Sequence, residues 1–269
     1  MTQKEPSADG KSIDAEMQSK LLKLHRDFAL QITHDLKAPL TSIRASIAMV
    51  LRGDLGAVTE DQKRFLSVAE VNTLRMAEMI NEVLDFSCIE AGELRVYPEP
   101  ARLEPILENA THSFSAWVQN ARLTLSLEMD LHLLPVMADT RRIHQVLGNL
   151  LSNAIKYTPA QGRIICRAHW IKASDGLPSK WVRVEVEDTG RGISPEAQAR
   201  IFDKFEQGRR YQEEKASGGS GLGLYIAREI IALHQGEIGV KSVPGVGSTF
   251  WFTLPLSKTA PEGSRGGFE

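Results

Sequence analysis

The 269-residue chain has only two cysteines, Cys88 and Cys166. They lie far apart, with no histidine at metal-ligand spacing, so neither a disulfide framework nor a zinc site is expected to organise the fold, and a reducing interior is the expected compartment. Positive charge is not in excess either: 32 Lys plus Arg face 34 Asp plus Glu, for a formal charge of −2. A dedicated DNA or RNA binder is clearly basic, which removes nucleic acid from the expected partners. No apolar run reaches the roughly 18 residues needed to span a bilayer. The opening MTQKEPSADGKS also lacks the apolar core of a secretory signal. These absences describe a soluble, cytoplasmic chain with no membrane span. What is present is ordinary globular composition, 42% hydrophobic and 25% charged, at a length that suits one large or two modest domains.

Residues 1–15 and 259–269 are rich in Gly, Ser, Pro, Lys and Glu and read as disordered tails. Residues 16–92 read as an antiparallel helical hairpin. Its first helix, 16–52, carries a seam of Leu21, Leu24, Phe28, Ile32, Leu36, Leu40, Ile43, Ile47 and Val50 at steps of three and four. Arg52-Gly53-Asp54-Leu55-Gly56 supplies turn chemistry, and Thr59 with Gln62 three residues on predicts a capping box. The second helix carries Phe65, Ala69, Met76, Met79, Val83 and Phe86 and ends near Gly92. A lone hairpin cannot enclose such a seam, so a homodimer forming a four-helix bundle is expected.

From residue 93 to 258 the texture changes. Strands are predicted at 94–97, 122–128, 163–171, 181–187, 236–241 and 248–254, and helices at 103–120, 140–156 and 222–234. Val182-Arg183-Val184-Glu185-Val186 alternates as a sheet with one covered face requires. The fold class is therefore α+β, a helical hairpin followed by an α/β sandwich with its sheet on one side and helices on the other.

Four clusters in the second domain carry chemistry. Asn149, Asn153, Lys156 and Tyr157 share one helix face; amide oxygens can ligate Mg²⁺ and a lysine can meet phosphate. Asp188-Thr189-Gly190-Arg191-Gly192 follows an apolar strand, a place where a carboxylate can accept a base's amino proton. Gly218-Gly219-Ser220-Gly221-Leu222-Gly223 runs into a helix and fits neither a P-loop nor Gly-x-Gly-x-x-Gly. Gly245-x-Gly247-Ser248-Thr249-Phe250 is a hairpin turn into the last strand. A polar stretch with Arg209, Arg210 and Lys215 lies between the second and third clusters and suits a lid over an anion. Each cluster alone also has a plain structural reading: surface asparagines, a strand-to-loop turn, glycine hinges or flexible surface coil. Their order and combination carry the weight.

Together these clusters resemble the ATP-binding domain of sensor histidine kinases, whose fold is shared with type II topoisomerases, mismatch-repair ATPases and heat-shock chaperone ATPases. The hairpin, with His34-Asp35-Leu36-Lys37-Ala38-Pro39-Leu40, resembles their dimerisation and phosphoacceptor domain. The resemblance implies that Asn153 coordinates Mg²⁺ with Asn149 in support, that Lys156 meets phosphate, and that Tyr157 borders the nucleotide. It further implies that Asp188 reads the adenine amino group, with Gly190 and Gly192 shaping that wall and Gly219, Gly221, Leu222 and Gly223 the phosphate side. ATP and Mg²⁺ are the implied cofactors, and a response-regulator receiver domain is the implied partner. Arg209, Arg210 and Lys215 are lid candidates.

Helix geometry separates His34 from the other six histidines. It sits two positions from both Ile32 and Leu36, roughly 160–200° away from that seam at 100° per residue, so it faces solvent. His25 lies at the edge of the packed stripe and reads as structural. A neutral imidazole is a competent nucleophile near neutral pH. The resemblance makes His34 the phosphoryl acceptor and Asp35 its general base or orienter. Pro39 removes a helical hydrogen bond at the Asp35 carbonyl, which predicts a local bend, and Lys37 shares the histidine's face. Ala38 stands where relatives that also remove phosphate carry Thr or Asn, and its methyl group cannot hold a water. The rival expectations are an ATPase or serine kinase of the same nucleotide fold, which needs no exposed His-Asp pair on a hairpin, and a dimeric scaffold regulated by nucleotide.

Overall fold

The computed structural model describes residues 8–130, 133–172, 178–206 and 220–257. The chain divides between Leu94 and Arg95 into two units. In the first, α1 spans Ala8–Leu51 and α2 spans Glu60–Glu90. The helix thus begins eight residues before the predicted start, and the tail predicted over 1–15 is helical from Ala8. Gly10 is the one strong helix breaker in that stretch. Extending a helix already nucleated is far easier than starting one, so Gly10 does not stop it. The turn signals act as read: Gly53 and Gly56 adopt φ of 80° and 117°. The capping box is complete, with Gln62 N–H donating to Thr59 Oγ1 at 3.3 Å and Thr59 N–H to Gln62 Oε1 at 2.9 Å. Pro39 lies inside α1, which continues through it.

The seam needs correction. Thr33, Leu40 and Ile47, spaced by seven, are buried on α1, while Leu24, Phe28, Ile32, Leu36 and Ile43 are exposed. On α2 the covered side is Leu66, Thr73, Ala77, Ile80 and Leu84. The residues predicted to pack, Phe65, Ala69, Met76, Met79 and Val83, are exposed, and Phe86 is half-buried. The helix carries two apolar stripes about 100° apart, and periodicity does not say which of them meets the helix of the same chain. The side chains of Leu21 and His25 lie outside those described.

In the second unit, β1 (Glu99–Ala101) pairs antiparallel with β3 (Val136–Ala138). The strand predicted at 94–97 is absent. Pro98 offers no N–H for a ladder, and the Tyr97 N–H goes to the Asp139 carboxylate at 3.2 Å. The helix predicted over 103–120 is two, α3 (Leu103–Ser113) and α4 (Ser115–Asn120), broken at Phe114 between two serines, which are weaker helix formers than Ala or Leu. The main sheet has the order β2-β4-β5-β7-β6. β2 (Thr124–Met129) runs parallel to β4 (Arg163–Lys172). The pairs formed by β4, β5 (Pro178–Asp188), β7 (Gly247–Pro255) and β6 (Ile238–Val243) are antiparallel.

One sheet face buries Ile164, Cys166, Val182, Val184, Val186, Phe250 and Phe252. Over this unit's core lie α5 (Thr140–Tyr157), through Ile143, Leu147, Leu150 and Leu151, and α7 (Gly223–Leu233), through Ile226, Ile230 and Ile231. On the other face Arg167 bridges Glu128 and Glu187, and Arg183 stacks 4.0 Å from the Trp251 ring centre. The alternation of 182–186 follows from this contrast between faces. His234 is buried at the end of α7, its Nε2 accepting the Asp139 N–H at 2.9 Å and its Nδ1 2.8 Å from the Ile230 carbonyl. A short α6 (Pro195–Gln198) follows β5. No helix among the described residues is long and apolar enough to cross a membrane.

Candidate functional site

In the second unit, α5 is started by Asp139, whose carboxylate accepts the Arg142 N–H at 3.1 Å. Its apolar stripe faces the core, so Asn149, Asn153, Lys156 and Tyr157 fall on the half turned from it. Asn149 Nδ2 donates to the Gly223 carbonyl at 2.8 Å, tying the middle of α5 to the first residue of α7. Asn153, one turn further, makes no side-chain hydrogen bond among the described residues, which leaves its amide oxygen available as a hard ligand. At the helix end the Tyr157 ring has two cations close to it, with Lys156 Nζ 4.9 Å and the Arg191 guanidinium 4.6 Å from its centre. Such contacts hold an aromatic ring in orientation as well as adding attraction.

Asp188 ends β5 and is buried. Burial holds its carboxyl above the usual carboxylate range, while the Gly190 and Ser248 backbone N–H groups pull it back down. The Gly190 N–H donates to Asp188 Oδ1 at 2.8 Å. A Cβ on Gly190 would sit 2.6 Å from that oxygen and 2.6 Å from the Tyr157 carbonyl, so only glycine lets the turn close on the carboxylate. Gly192 adopts φ of 70°, and a Cβ there would lie 2.0 Å from the Val243 carbonyl.

The four clusters adjoin. The Arg191 N–H donates to the Tyr157 carbonyl at 3.4 Å, and the Gly245 N–H to the Arg191 carbonyl at 2.7 Å. Ser220 Oγ accepts the Leu222 N–H at 3.0 Å, and Gly221 has φ of 75°. Leu222 is buried and precedes α7 as its cap residue, and its side chain makes no cap hydrogen bond, so among the described residues the positive helix end can take an anion. The Phe205 N–H donates to the Gly221 carbonyl at 3.2 Å, and Phe202 meets Phe250 edge to face. Gly219, Arg209, Arg210 and Lys215 lie outside the described residues. Sequence reasoning did not single out Arg191 or Ser248; the signal for Arg191 was a cation fixed between two glycines.

In the first unit, His34 is 89% exposed, and its Nδ1 lies 3.4 Å from Asp35 Oδ1. Neighbours on a straight helix do not face each other, yet both side chains reach outward far enough to approach. The two thiols are no rivals for the imidazole within this geometry: Cys88 is half-buried, and burial pushes Cys166 up to about 12. Among the described residues no three His, Cys, Asp or Glu side chains converge on a metal position.

Residues 24–92 match the His Kinase A (phospho-acceptor) domain, and residues 138–258 the histidine kinase-, DNA gyrase B- and HSP90-like ATPase family. The circadian input-output histidine kinase CikA of Synechococcus elongatus is 33% identical over 234 residues, covering 85% of this chain and 30% of that protein. The sensor histidine kinase GacS of Pseudomonas protegens is 34% identical over 238 residues, 88% of this chain and 25% of that protein. The chain thus spans about a third or less of the curated relatives it matches. Full-length ShkA in complex with AMPPNP superposes with a TM-score of 0.67 at 27% identity, covering 88% of this chain and 47% of that one.

Proposed function

The chain belongs to the histidine kinases, and on that premise we propose that it transfers the γ-phosphoryl group of ATP to His34 and passes it to an aspartate of a response-regulator receiver domain. The observation that carries the reading is the exposed His34 imidazole with a carboxylate at its Nδ1. Asp35 favours the tautomer with the proton on Nδ1, which leaves the Nε2 lone pair to attack phosphorus. A P–N bond forms, the bond to the β-phosphate bridging oxygen breaks, and ADP leaves with that electron pair. The imidazole proton passes from Nδ1 toward Asp35. Such transfers need positioning and charge neutralisation more than covalent help.

In the second unit Asp188 accepts the adenine amino proton, and Tyr157 lies along the nucleotide with Lys156 toward phosphate. Gly221 and Gly223 offer backbone N–H groups at the start of α7, Leu222, whose N–H is held by Ser220 Oγ, shapes the same wall, and Gly219 precedes them in the sequence. Asn153, with Asn149 beside it, fits Mg²⁺: its amide oxygen is a hard ligand without another described partner, and two amides with phosphate oxygens suit this cation better than a thiol or imidazole set. Bound there, Mg²⁺ neutralises phosphate charge. We place a second copy of the chain on the stripe of Phe28, Ile32, Leu36, Ile43, Met76 and Met79, and the chain in the cytoplasm.

Incubation with γ-labelled ATP and Mg²⁺ tests the reading. Label that is acid-labile and base-stable is expected on the protein, and His34→Gln is expected to abolish it while nucleotide still binds. Label retained in that variant moves the acceptor elsewhere. ATP hydrolysis without any protein-bound label restores the ATPase alternative.

A further inference from the structure

The five-stranded sheet ends differently on its two sides. On β6, Ser242 is held by the segment after β5: Gln198 Nε2 donates to its carbonyl at 2.9 Å and the Ile193 N–H to its Oγ at 2.8 Å. On the other side β2 pairs only with β4. The Thr124 N–H donates to Gly162 O and the Asp130 N–H to Ala168 O, both at 3.0 Å. This fixes the alternation. Thr124, Ser126 and Glu128 turn their backbone groups to β4, and Leu125, Leu127 and Met129 turn theirs outward. No hydrogen bond to that outer row is formed among the described residues.

Natural edges are usually blunted by Pro, Lys, a bulge or a covering loop. Thr124–Met129 contains no Pro or Lys, and its register with β4 is unbroken. Its one charge, Glu128, is drawn inward along the sheet to Arg167 at 2.7 Å. Beside the open edge lies a cavity of about 680 Å³ between α3, α4 and β2. Val118, Leu125 and Leu127 give it apolar surface and Asn109, His112 and Gln119 polar groups. Glu108 is its sole carboxylate, and no Lys or Arg lines it.

The geometry points to a peptide-binding groove: an extended segment of a partner protein adds as a sixth strand on β2, with an apolar side chain against Val118 and Leu125 and a Lys or Arg opposite Glu108. Outward-facing donors and acceptors recurring at every second residue match the backbone of an extended polypeptide. The charge of Glu108 selects the basic side chain. A second copy of β2 does not satisfy that requirement, since Thr124–Met129 carries no cation. The groove is separate from the nucleotide residues and independent of the phosphotransfer proposal.

The test uses the full chain, isotope-labelled, with the peptide acetyl-Thr-Lys-Thr-Val-Thr-Val-amide as probe, whose Lys and Val side chains share one face of an extended strand. At saturating peptide, amide exchange of Leu125, Leu127 and Met129 is expected to slow at least about tenfold, with Ser126 and Glu128 unchanged. Glu108 is exposed on α3, so Glu108→Lys leaves the fold intact and is expected to weaken binding about threefold; of the two peptides N-methylated at alternate residues, the one whose methyl groups face β2 is expected not to bind and the other to bind as the parent does. Three results would overturn the groove: no slowing at millimolar peptide, equal slowing of odd and even amides, or equal binding of the two N-methylated peptides. Slowing that rises with protein concentration in the absence of peptide would do so too, because a second copy would then occupy the edge.

Discussion

In the second unit α5 and α7 lay unbroken apolar stripes over a sheet face whose Val182, Val184, Val186, Phe250 and Phe252 are all buried. Along the hairpin, the apolar side chains that reach the same state among the described residues are Leu40, Ile47 and Leu94, with Thr33, Thr73 and Asp85 buried beside them. The α/β unit closes its core by itself, while the hairpin leaves Phe28, Ile32, Ile43, Phe65, Met76, Met79 and Val83 in solvent. Full burial of one such side chain is worth about 1.5–3 kcal/mol. A hairpin of this composition is therefore expected to gain much of its stability from the second copy proposed above, whereas the α/β unit is expected to need none. One chain thus joins a unit that buries its own core to one whose apolar stripe is left uncovered within the chain.

The strongest way to break that contrast is to charge the exposed stripe. Met76→Glu combined with Met79→Glu is expected to raise the dimer dissociation constant at least about a hundredfold, since each burial is worth about 1.5–3 kcal/mol. Analytical ultracentrifugation reads the change. Thermal unfolding by circular dichroism should then split, with helix lost first and the α/β transition unmoved. A double variant that remains dimeric would place the partner on another face.

Next in size is Asp188→Asn, which separates binding from stability within the second unit. An asparagine amide has a single oxygen, and its NH2 places a donor where an acceptor is needed. Nucleotide affinity is expected to fall by about 1–3 kcal/mol, roughly ten- to a hundredfold, by titration calorimetry. The effect on folding has the opposite sign. Burial holds the folded carboxyl above its unfolded value. Its contribution to stability is therefore fully present at pH below the unfolded value and is lost as pH rises through the folded one. At neutral pH the buried charge costs stability that asparagine does not, and Gly190 can still donate to the amide oxygen. The variant is expected to be no less stable than the parent near pH 7 and to show a flatter stability profile above the ordinary carboxylate range.

The same contrast explains what was legible in the sequence. The turn at Gly53–Gly56, the capping box of Thr59 and Gln62, and the alternation at 182–186 are local, and each is formed as read. Asn149, Tyr157, Asp188 and Gly223 were assembled from scattered clusters, and their backbone and amide hydrogen bonds do bring those clusters together. The packed face of α2 was misread because choosing between two stripes depends on a neighbour that periodicity does not encode. The 94–97 strand failed for a similar reason: Pro98 and the competing Asp139 carboxylate left no ladder to join. Arg191 was overlooked because its contact with Tyr157 spans 34 positions and leaves no spacing signal.

Two smaller substitutions sharpen the comparison, one in each unit. Gly192→Ala forces a side chain into φ of 70° with its Cβ against the Val243 carbonyl. It is expected to destabilise the α/β transition by about 1–3 kcal/mol and leave the hairpin untouched. Thr59→Ala removes the hydroxyl that accepts the Gln62 N–H while leaving the Thr59 backbone N–H its bond to Gln62. Half the capping box survives, so the cost is about 1 kcal/mol, confined to the hairpin transition in urea. Equal shifts of both transitions by either substitution would mean that the units unfold as one, and the two modes of closure would then not be separable in solution.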